Sequence, residues 1–121
     1  MKSLFDSVSY QCSKITTQSY STSFSLGIRF LDVDIRNAVY GIYGFVRFAD
    51  EIVDTFHDYN KRELLEGFRN ETNKAISQGI SLNPILNSFQ ATVKEYDIDK
   101  ELIHTFLNSM EMDLSEREYT Q

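Results

Sequence analysis

Apolar residues recur at helical spacing along most of the chain, and no segment alternates strictly between apolar and polar positions. Apolar positions spaced by three and four residues are typical of amphipathic helices, whereas strict alternation is typical of strands. The single proline and five glycines are also too few for an all-β fold rich in loops. The pattern therefore predicts an all-α fold, a bundle of helices joined by short polar turns.

The predicted helices alternate with short segments that carry capping and stop residues. Asn60 and Asn83 precede two of the apolar stripes, and Gly79 follows one of them, as expected at helix ends. The hydroxyl-rich segment at 19–25 predicts a helix break or irregular turn, because such side chains compete for backbone hydrogen bonds. The predicted helices span residues 5–18, 33–56, 61–78, 84–97 and 100–118. The first of them is predicted to bury Phe5, Val8, Ser9, Cys12 and Ile15.

The helix predicted over 33–56 is apolar on nearly every side. A helix without a polar face is typical of the centre of a bundle. Gly41 and Gly44 lie three residues apart within it, so a neighbouring helix can approach closely there. Asp50, Glu51 and Asp54 interrupt the apolar run close to its carboxyl end.

Length, charge and cysteine content narrow the class of protein. The 121 residues suffice for one domain, and the net charge of −6 argues against a nucleic-acid partner. A single cysteine, Cys12, rules out an internal disulfide and fits a reducing compartment. No stretch reaches the roughly 18 apolar residues that span a bilayer, and the first ten residues lack a signal-peptide core. We therefore expect a cytoplasmic protein, with a peripheral membrane contact left open.

Asp50 and Asp54 are the strongest candidates for chemistry. Residues four apart lie on one face of a helix, so their carboxylates point the same way. A carboxylate that follows an apolar run is costly to bury unless it is paired or binds a metal. Two oxygen ligands one turn apart suit Mg²⁺, which also takes water and phosphate oxygens. The pattern DxxxD alone is common in solvated helix ends, so its position after an apolar helix is what makes it informative.

Three segments of the chain together resemble the squalene/phytoene synthase family. These are SYSTSF at 19–24, RNAVYGIYGFVRFADEIVD at 36–54 and MEMDL at 110–114. The family carries a serine-rich segment, an arginine- and aromatic-containing helix and then R-x-x-D-x-x-x-D, in this order. The residues in these segments are most similar to those of the bacterial phytoene and dehydrosqualene synthases.

The resemblance implies a prenyltransferase that joins two prenyl diphosphates head to head through a cyclopropyl intermediate. In such enzymes two aspartate-rich motifs hold Mg²⁺ ions, with Mn²⁺ as an alternative, and Asp50 and Asp54 match the first motif. The phytoene branch ends by proton loss and needs no nicotinamide, whereas the squalene branch ends by reduction. We expect geranylgeranyl diphosphate as substrate and phytoene as product, which places the protein in carotenoid and isoprenoid biosynthesis.

The resemblance also assigns substrate-binding roles. Ser21 and Ser23 match the element that closes over a diphosphate, and Arg47 matches a diphosphate contact. Tyr20 stands where relatives often have histidine. Phe24 and Tyr43 match aromatic positions near the substrate, where an apolar lining shields a carbocation and ring faces stabilise it. Asp113 matches an acid near the same site, while Tyr40 and Phe45 are lining candidates that fit equally well in a plain core.

Relatives in this family are more than twice as long, and the chain matches only their amino-terminal part. The second aspartate-rich motif is expected beyond Gln121, so we expect these residues alone to be inactive or nearly so. The apolar face of the central helix would then be uncovered, which predicts self-association.

Other classes of protein stay open at this point. A squalene or dehydrosqualene synthase that uses farnesyl diphosphate would carry the same motifs. A non-catalytic helical interaction domain would use the acidic run only as a solvated helix end. A head-to-tail prenyl diphosphate synthase or terpene cyclase shares the metal chemistry, but its usual DDxxD spacing differs from the run at 50–54.

Overall fold

The computed structural model describes the backbone of residues 1–120 and the side chains of residues 1–116. Over these residues the fold is all-α, as the sequence predicts, with six helices in a bundle and no strand. In chain order they are α1 (Lys2–Tyr20), α2 (Thr22–Ile28), α3 (Val33–Asp54), α4 (Lys61–Gln78), α5 (Pro84–Glu95) and α6 (Lys100–Thr120).

The predicted caps set the bounds of the later helices. The Asn60 side chain accepts a hydrogen bond from the Glu63 amide at 3.1 Å, and α4 begins directly after it. Gly79 ends α4 in the left-handed conformation at φ 72°, which other residues adopt less readily. Asn83 caps α5 through the amides of Ile85 and Leu86, at 3.0 and 3.3 Å. The sequence therefore predicted α4 correctly at both ends and α5 at its start.

The segment at 19–25 is a break of one residue rather than an irregular turn. α1 continues to Tyr20, Ser21 is extended at φ −147°, and α2 starts at Thr22. The Ser21 side chain accepts a hydrogen bond from the Phe24 amide at 3.3 Å, so it caps α2. The prediction of non-helical structure after Ser21 was wrong because this cap lets the hydroxyl-rich residues form a short helix.

An apolar core lies between α3, α4, α5 and α6. Phe45 of α3 stacks on Phe89 of α5 with ring centroids 3.9 Å apart, and Phe68 and Phe106 pack around the same ring. Leu86 and Leu107 are fully buried in this cluster. The cluster fixes α3 against the three helices that follow it along the chain.

A second, polar interface joins α1 to α5 and to the glycines of α3. Ser13 and Ser88 share a hydrogen bond of 2.6 Å, and Tyr10 and Thr92 share one of 3.0 Å. The fully buried Asn87 donates to the Ser9 hydroxyl at 3.0 Å and to the Asp6 carboxylate at 2.9 Å. Each buried polar side chain in this interface therefore has a partner, as buried polar groups require.

The predicted buried face of α1 is correct for Ser9, which is fully buried, and wrong for Val8 and Ile15, while Phe5 and Cys12 are half-buried. The residues that α1 buries completely are Ser9, Ser13 and Thr17, whereas Val8 and Ile15 are 45% and 62% exposed. A Cβ atom added at Gly44 would lie 3.0 Å from the Ser13 hydroxyl, so α1 and α3 are in close contact. Small hydroxyl side chains fit this narrow gap, and larger apolar ones would not.

None of the helices in the described part of the chain is long and apolar enough to cross a membrane.

Candidate functional site

One face of α3 carries a stripe of charged and aromatic residues. Their spacing alternates between four and three residues, which keeps all of them on one side of a helix of 3.6 residues per turn. The opposite side of α3 carries Phe45 and Ala49 and is buried in the core. The stripe consists of Arg36, Tyr40, Tyr43, Arg47, Asp50 and Asp54.

Asp50 is half-buried near the end of this stripe. Burial raises the pKa of its carboxyl above the ordinary 3.8, because the charged form loses water. The positive charge of Arg47 opposes this shift, whereas the negative charges of Asp54, Asp113 and Glu51 add to it. The described residues therefore disfavour the ionised form of Asp50, and a cation bound beside the carboxylate would stabilise that form.

The three acids predicted for the site lie within electrostatic range of one another. Asp54 is exposed one turn beyond Asp50 on α3, and Asp113 is half-buried on α6, which packs against α3. The charge of each raises the pKa of Asp50. In the described part of the chain, no three ligand-type side chains converge closely enough to hold a metal by themselves. The arrangement instead suits a Mg²⁺ ion that takes one or two carboxylates and completes its shell with water and phosphate oxygens.

The guanidinium of Arg47 is held between two side chains. Its Nη2 atom donates a hydrogen bond of 2.5 Å to the Glu51 carboxylate. The two residues form an ion pair and lie one turn apart on α3. Its central carbon lies 4.7 Å from the centre of the Tyr20 ring, a distance typical of cation–π contacts. Burial lowers the pKa of Arg47, but the hydrogen bond and charge of Glu51 outweigh burial and raise it overall. Arg47 is therefore paired with Glu51 and keeps its remaining donors for a ligand.

Two buried donors on the stripe lack an acceptor among the described residues. They are the Nε atoms of Arg36 and Arg47. A buried donor without a partner costs about 1–3 kcal/mol, so such groups are frequent where a ligand supplies the missing acceptor. Arg36 has no role that its position in the sequence alone would assign. Its place on the stripe, two turns before Tyr43, was the signal that could have identified it.

The structure brings the serine-rich segment to the same face of α3. The Phe24 ring stacks on the Tyr43 ring with centroids 5.4 Å apart. Ser21 is half-buried and caps α2, and because its oxygen accepts that bond its own proton can still be donated to a ligand. Ser23 is exposed on α2. The predicted residues Ser21, Phe24, Tyr43 and Arg47 thus share one region.

The two remaining aromatic candidates belong to the interior. Tyr40 is 5% exposed and Phe45 is 2% exposed. Phe45 lies in the apolar core on the side of α3 away from Asp50. The plain core role that the sequence allowed for Phe45 is therefore the correct one.

A groove of about 1080 Å³ opens beside α3, on the side that carries Phe48 and Ile52. Tyr20 and Glu51, the two residues that contact Arg47, form part of its wall. Its other walls come from the turn after α3, from α4 and from the start of α5, and Asp50 and Asp54 are not among its lining residues. This groove is therefore not a cavity beside the two acids.

Comparison with known families gives one match. A family model described as squalene/phytoene synthase matches residues 17–121. The matched region includes every predicted site residue, from Ser21 to Asp113. No curated protein sequence matches the chain significantly.

Proposed function

The chain belongs to the squalene/phytoene synthase family, whose members are transferases that condense prenyl diphosphates head to head, and we propose that the α3 stripe is its diphosphate site. The observation that carries this proposal is the half-buried Asp50, whose pKa is raised by burial and by the nearby charges of Asp54 and Asp113. Acids gathered in this way are stabilised by a divalent cation, which a diphosphate brings with it.

In the proposed site, Asp50 and Asp54 would hold Mg²⁺, or Mn²⁺ in its place. Such an ion would neutralise the diphosphate charge and so make diphosphate a better leaving group. Arg47 binds a diphosphate oxygen through donors that Glu51 does not use, and Ser21 and Ser23 close over the same group. Asp113 of α6 adds a further negative charge near Asp50, which favours a bound cation. Arg47 and the two serine hydroxyls would stabilise the negative charge that develops on the departing diphosphate.

The prenyl part of the substrate would lie against Phe24 and Tyr43. Their stacked rings offer apolar faces that exclude water and stabilise a carbocation electrostatically. Loss of diphosphate from one prenyl chain leaves an allylic cation, which adds to the double bond of the second chain. The resulting cation loses a proton to the released diphosphate as the cyclopropyl ring closes. Loss of the second diphosphate and rearrangement then give a second allylic cation, which loses a proton to give the hydrocarbon.

Within the family we propose a phytoene synthase that uses geranylgeranyl diphosphate and needs no nicotinamide. The residues of the three motifs support this choice over the squalene branch. The test is calorimetric titration with non-reactive thiolo-diphosphate analogues of farnesyl and geranylgeranyl diphosphate in the presence of Mg²⁺. Tighter binding of the longer analogue is expected. Tighter binding of the farnesyl analogue would favour a squalene or dehydrosqualene synthase instead.

The alternative of a non-catalytic interaction domain predicts a different result in the same experiment. Binding of either analogue would then be insensitive to Asp50→Asn and Asp54→Asn. The control variant is Asp97→Asn, which removes an exposed acid at a backbone φ of 49°, a conformation that asparagine tolerates well. The proposed function requires that both site variants weaken binding while this control does not.

The resemblance implies a second aspartate-rich motif in addition to the acids of the α3 stripe. Turnover by residues 1–121 alone should therefore be negligible. The corner between α2 and α3 exposes apolar side chains, with Phe30 92% exposed. Such exposure supports the expected self-association, which light scattering would detect as an apparent mass that grows with concentration.

A further inference from the structure

Tyr20 is the last residue of α1, and it contacts the site through Arg47. Its ring covers one face of the guanidinium, and Glu51 takes the Nη2 donor. The ring itself is half exposed, so the contact is not enforced by a surrounding core. The resemblance gave Tyr20 no role, because relatives often carry histidine at this position.

The position of Tyr20 depends on the polar interface between α1 and α5, because this interface sets the position of the helix that Tyr20 ends. Ser13 and Thr17 lie two turns and one turn before Tyr20 and are fully buried. The hydrogen bonds of Ser13 to Ser88 and of Asn87 to Ser9 are directional, so they define how far along α5 the helix sits. A slip of one turn would move Tyr20 by about 5.4 Å, which is larger than its distance from Arg47.

The guanidinium then keeps donors from which no described residue accepts a hydrogen bond. Its face is covered by Tyr20, its Nη2 atom is paired, and its buried Nε donor has no acceptor among the described residues. Tyr20 and Glu51 together hold Arg47 in one orientation. A long side chain that is already ordered loses less conformational entropy when it binds a ligand.

We propose that Tyr20 is a positioning residue, whose ring holds the Arg47 guanidinium against Glu51 so that the donors that Glu51 does not use are oriented for a diphosphate oxygen. The inference rests on the proposed diphosphate site. According to this inference, Tyr20 orients Arg47 through its ring and not through its hydroxyl. Phenylalanine should therefore replace it, and leucine should not.

The contact itself is tested by NMR of the arginine Nε–H groups in the whole chain. A proton near the face of an aromatic ring is shifted upfield, so the Arg47 signal, assigned with Arg47→Lys, should be displaced. Tyr20→Phe should keep the displacement and Tyr20→Leu should abolish it. An Arg47 signal that is unchanged in Tyr20→Leu would contradict the inference.

The consequence for binding is tested by titration with pyrophosphate and Mg²⁺. Tyr20→Leu should weaken binding by about two- to five-fold, the range expected for one exposed cation–π contact. Tyr20→Phe should stay within about two-fold of the unsubstituted chain, because its ring still covers the guanidinium. Tyr96→Leu, which removes a comparably exposed tyrosine at the end of α5, is the matched control and should have no effect.

The outcomes separate the inference from the proposed function. If Tyr20→Phe weakens binding as much as Tyr20→Leu, the hydroxyl contacts the diphosphate and the positioning role is wrong. If binding depends on Asp50 but not on Tyr20, the inference alone is wrong. If the unsubstituted chain does not bind pyrophosphate, the proposed function is wrong and the inference falls with it.

Discussion

The two interfaces that hold α3 in the bundle have opposite chemistry. On one side, Phe45 packs among the phenylalanine rings of α4, α5 and α6. On the other side, Gly41 and Gly44 face buried hydroxyl groups of α1 and α5. Apolar burial is strong but has no preferred direction, whereas hydrogen bonds require one particular alignment. The comparison indicates that the phenylalanine core supplies most of the stability and that the polar interface sets the position of α1.

That position matters for the site because α1 ends beside it. Tyr20 reaches Arg47, and Ser21 starts the short helix that brings Phe24 onto Tyr43. A change in the phenylalanine core should therefore lower stability with the site geometry kept in the folded molecules. A change in the polar interface should cost less stability but disturb the site more.

The largest effect is expected from Phe45→Ala in the apolar core. The ring is 2% exposed and contacts three other rings. Removing it should lower the free energy of unfolding by about 3–5 kcal/mol, the range for large-to-alanine changes in cores. Urea denaturation measures this loss. A loss below that of Asn87→Ala would reverse the proposed order of the two interfaces.

Asn87→Ala should have the next largest effect, because this side chain is the centre of the polar interface. It donates to Asp6 and Ser9, and its oxygen accepts from the Ser81 amide and the Gln90 side chain. Leaving those groups buried without a partner should cost about 2–3 kcal/mol. Asn73→Ala on the exposed surface of α4 is the control, with a change of about 0.5 kcal/mol or less. The Arg47 NMR signal should move in Asn87→Ala and not in the control.

Gly41→Ala tests how closely the helices approach in the polar interface. An added Cβ would lie 2.8 Å from the Thr92 hydroxyl and 3.1 Å from the Ser88 carbonyl oxygen. The carbonyl belongs to the α5 backbone and cannot move easily, so a loss of about 1–2 kcal/mol is expected. Gly67→Ala in the middle of α4 meets nothing within 4 Å and should instead gain about 0.5–1 kcal/mol. Equal changes in the two variants would contradict the close approach.

The smallest effect, and one of opposite sign, is expected from Asp50→Asn. Because burial raises the pKa of Asp50 in the folded chain, its ionised form is disfavoured there. The folded state therefore holds this proton more tightly than the unfolded state, so the carboxyl lowers stability as pH rises above its ordinary pKa of 3.8. Asp50→Asn should raise the melting temperature by a few degrees at pH 7. The difference should shrink towards pH 3, and a destabilised variant at pH 7 would contradict the account.

The helices of the apolar core could be predicted from the sequence, whereas the polar interface of α1 with α5 and α3 could not. The bounds of α4 and α5 were predicted nearly to the residue. The signals used were the asparagine caps, Gly79 and the apolar stripes, and each of them is local. The burial of Ser9 and Ser13 depends on partners about 75 to 78 residues away, which periodicity does not reveal. A rule that places apolar residues inside therefore included the exposed Val8 and Ile15 and missed the buried Ser13.

The candidate site shows the same division. The acids and Arg47 could be identified because DxxxD and R-x-x-D are patterns within a single helix. The stacking of Tyr20 on Arg47 and the approach of Asp113 to Asp50 depend on how separate helices pack. The unpartnered Nε of Arg36 became apparent only once its burial was known.

The central claim is that Asp50 and Asp54 hold a metal-bound diphosphate, and calorimetric titration of the chain with pyrophosphate tests it directly. In the presence of Mg²⁺ the account predicts saturable binding, weakened at least about ten-fold by either Asp50→Asn or Asp54→Asn. Without Mg²⁺, binding should be much weaker, and Asp97→Asn should behave as the unsubstituted chain. Binding that is indifferent to both site variants, or to the removal of Mg²⁺, would contradict the account.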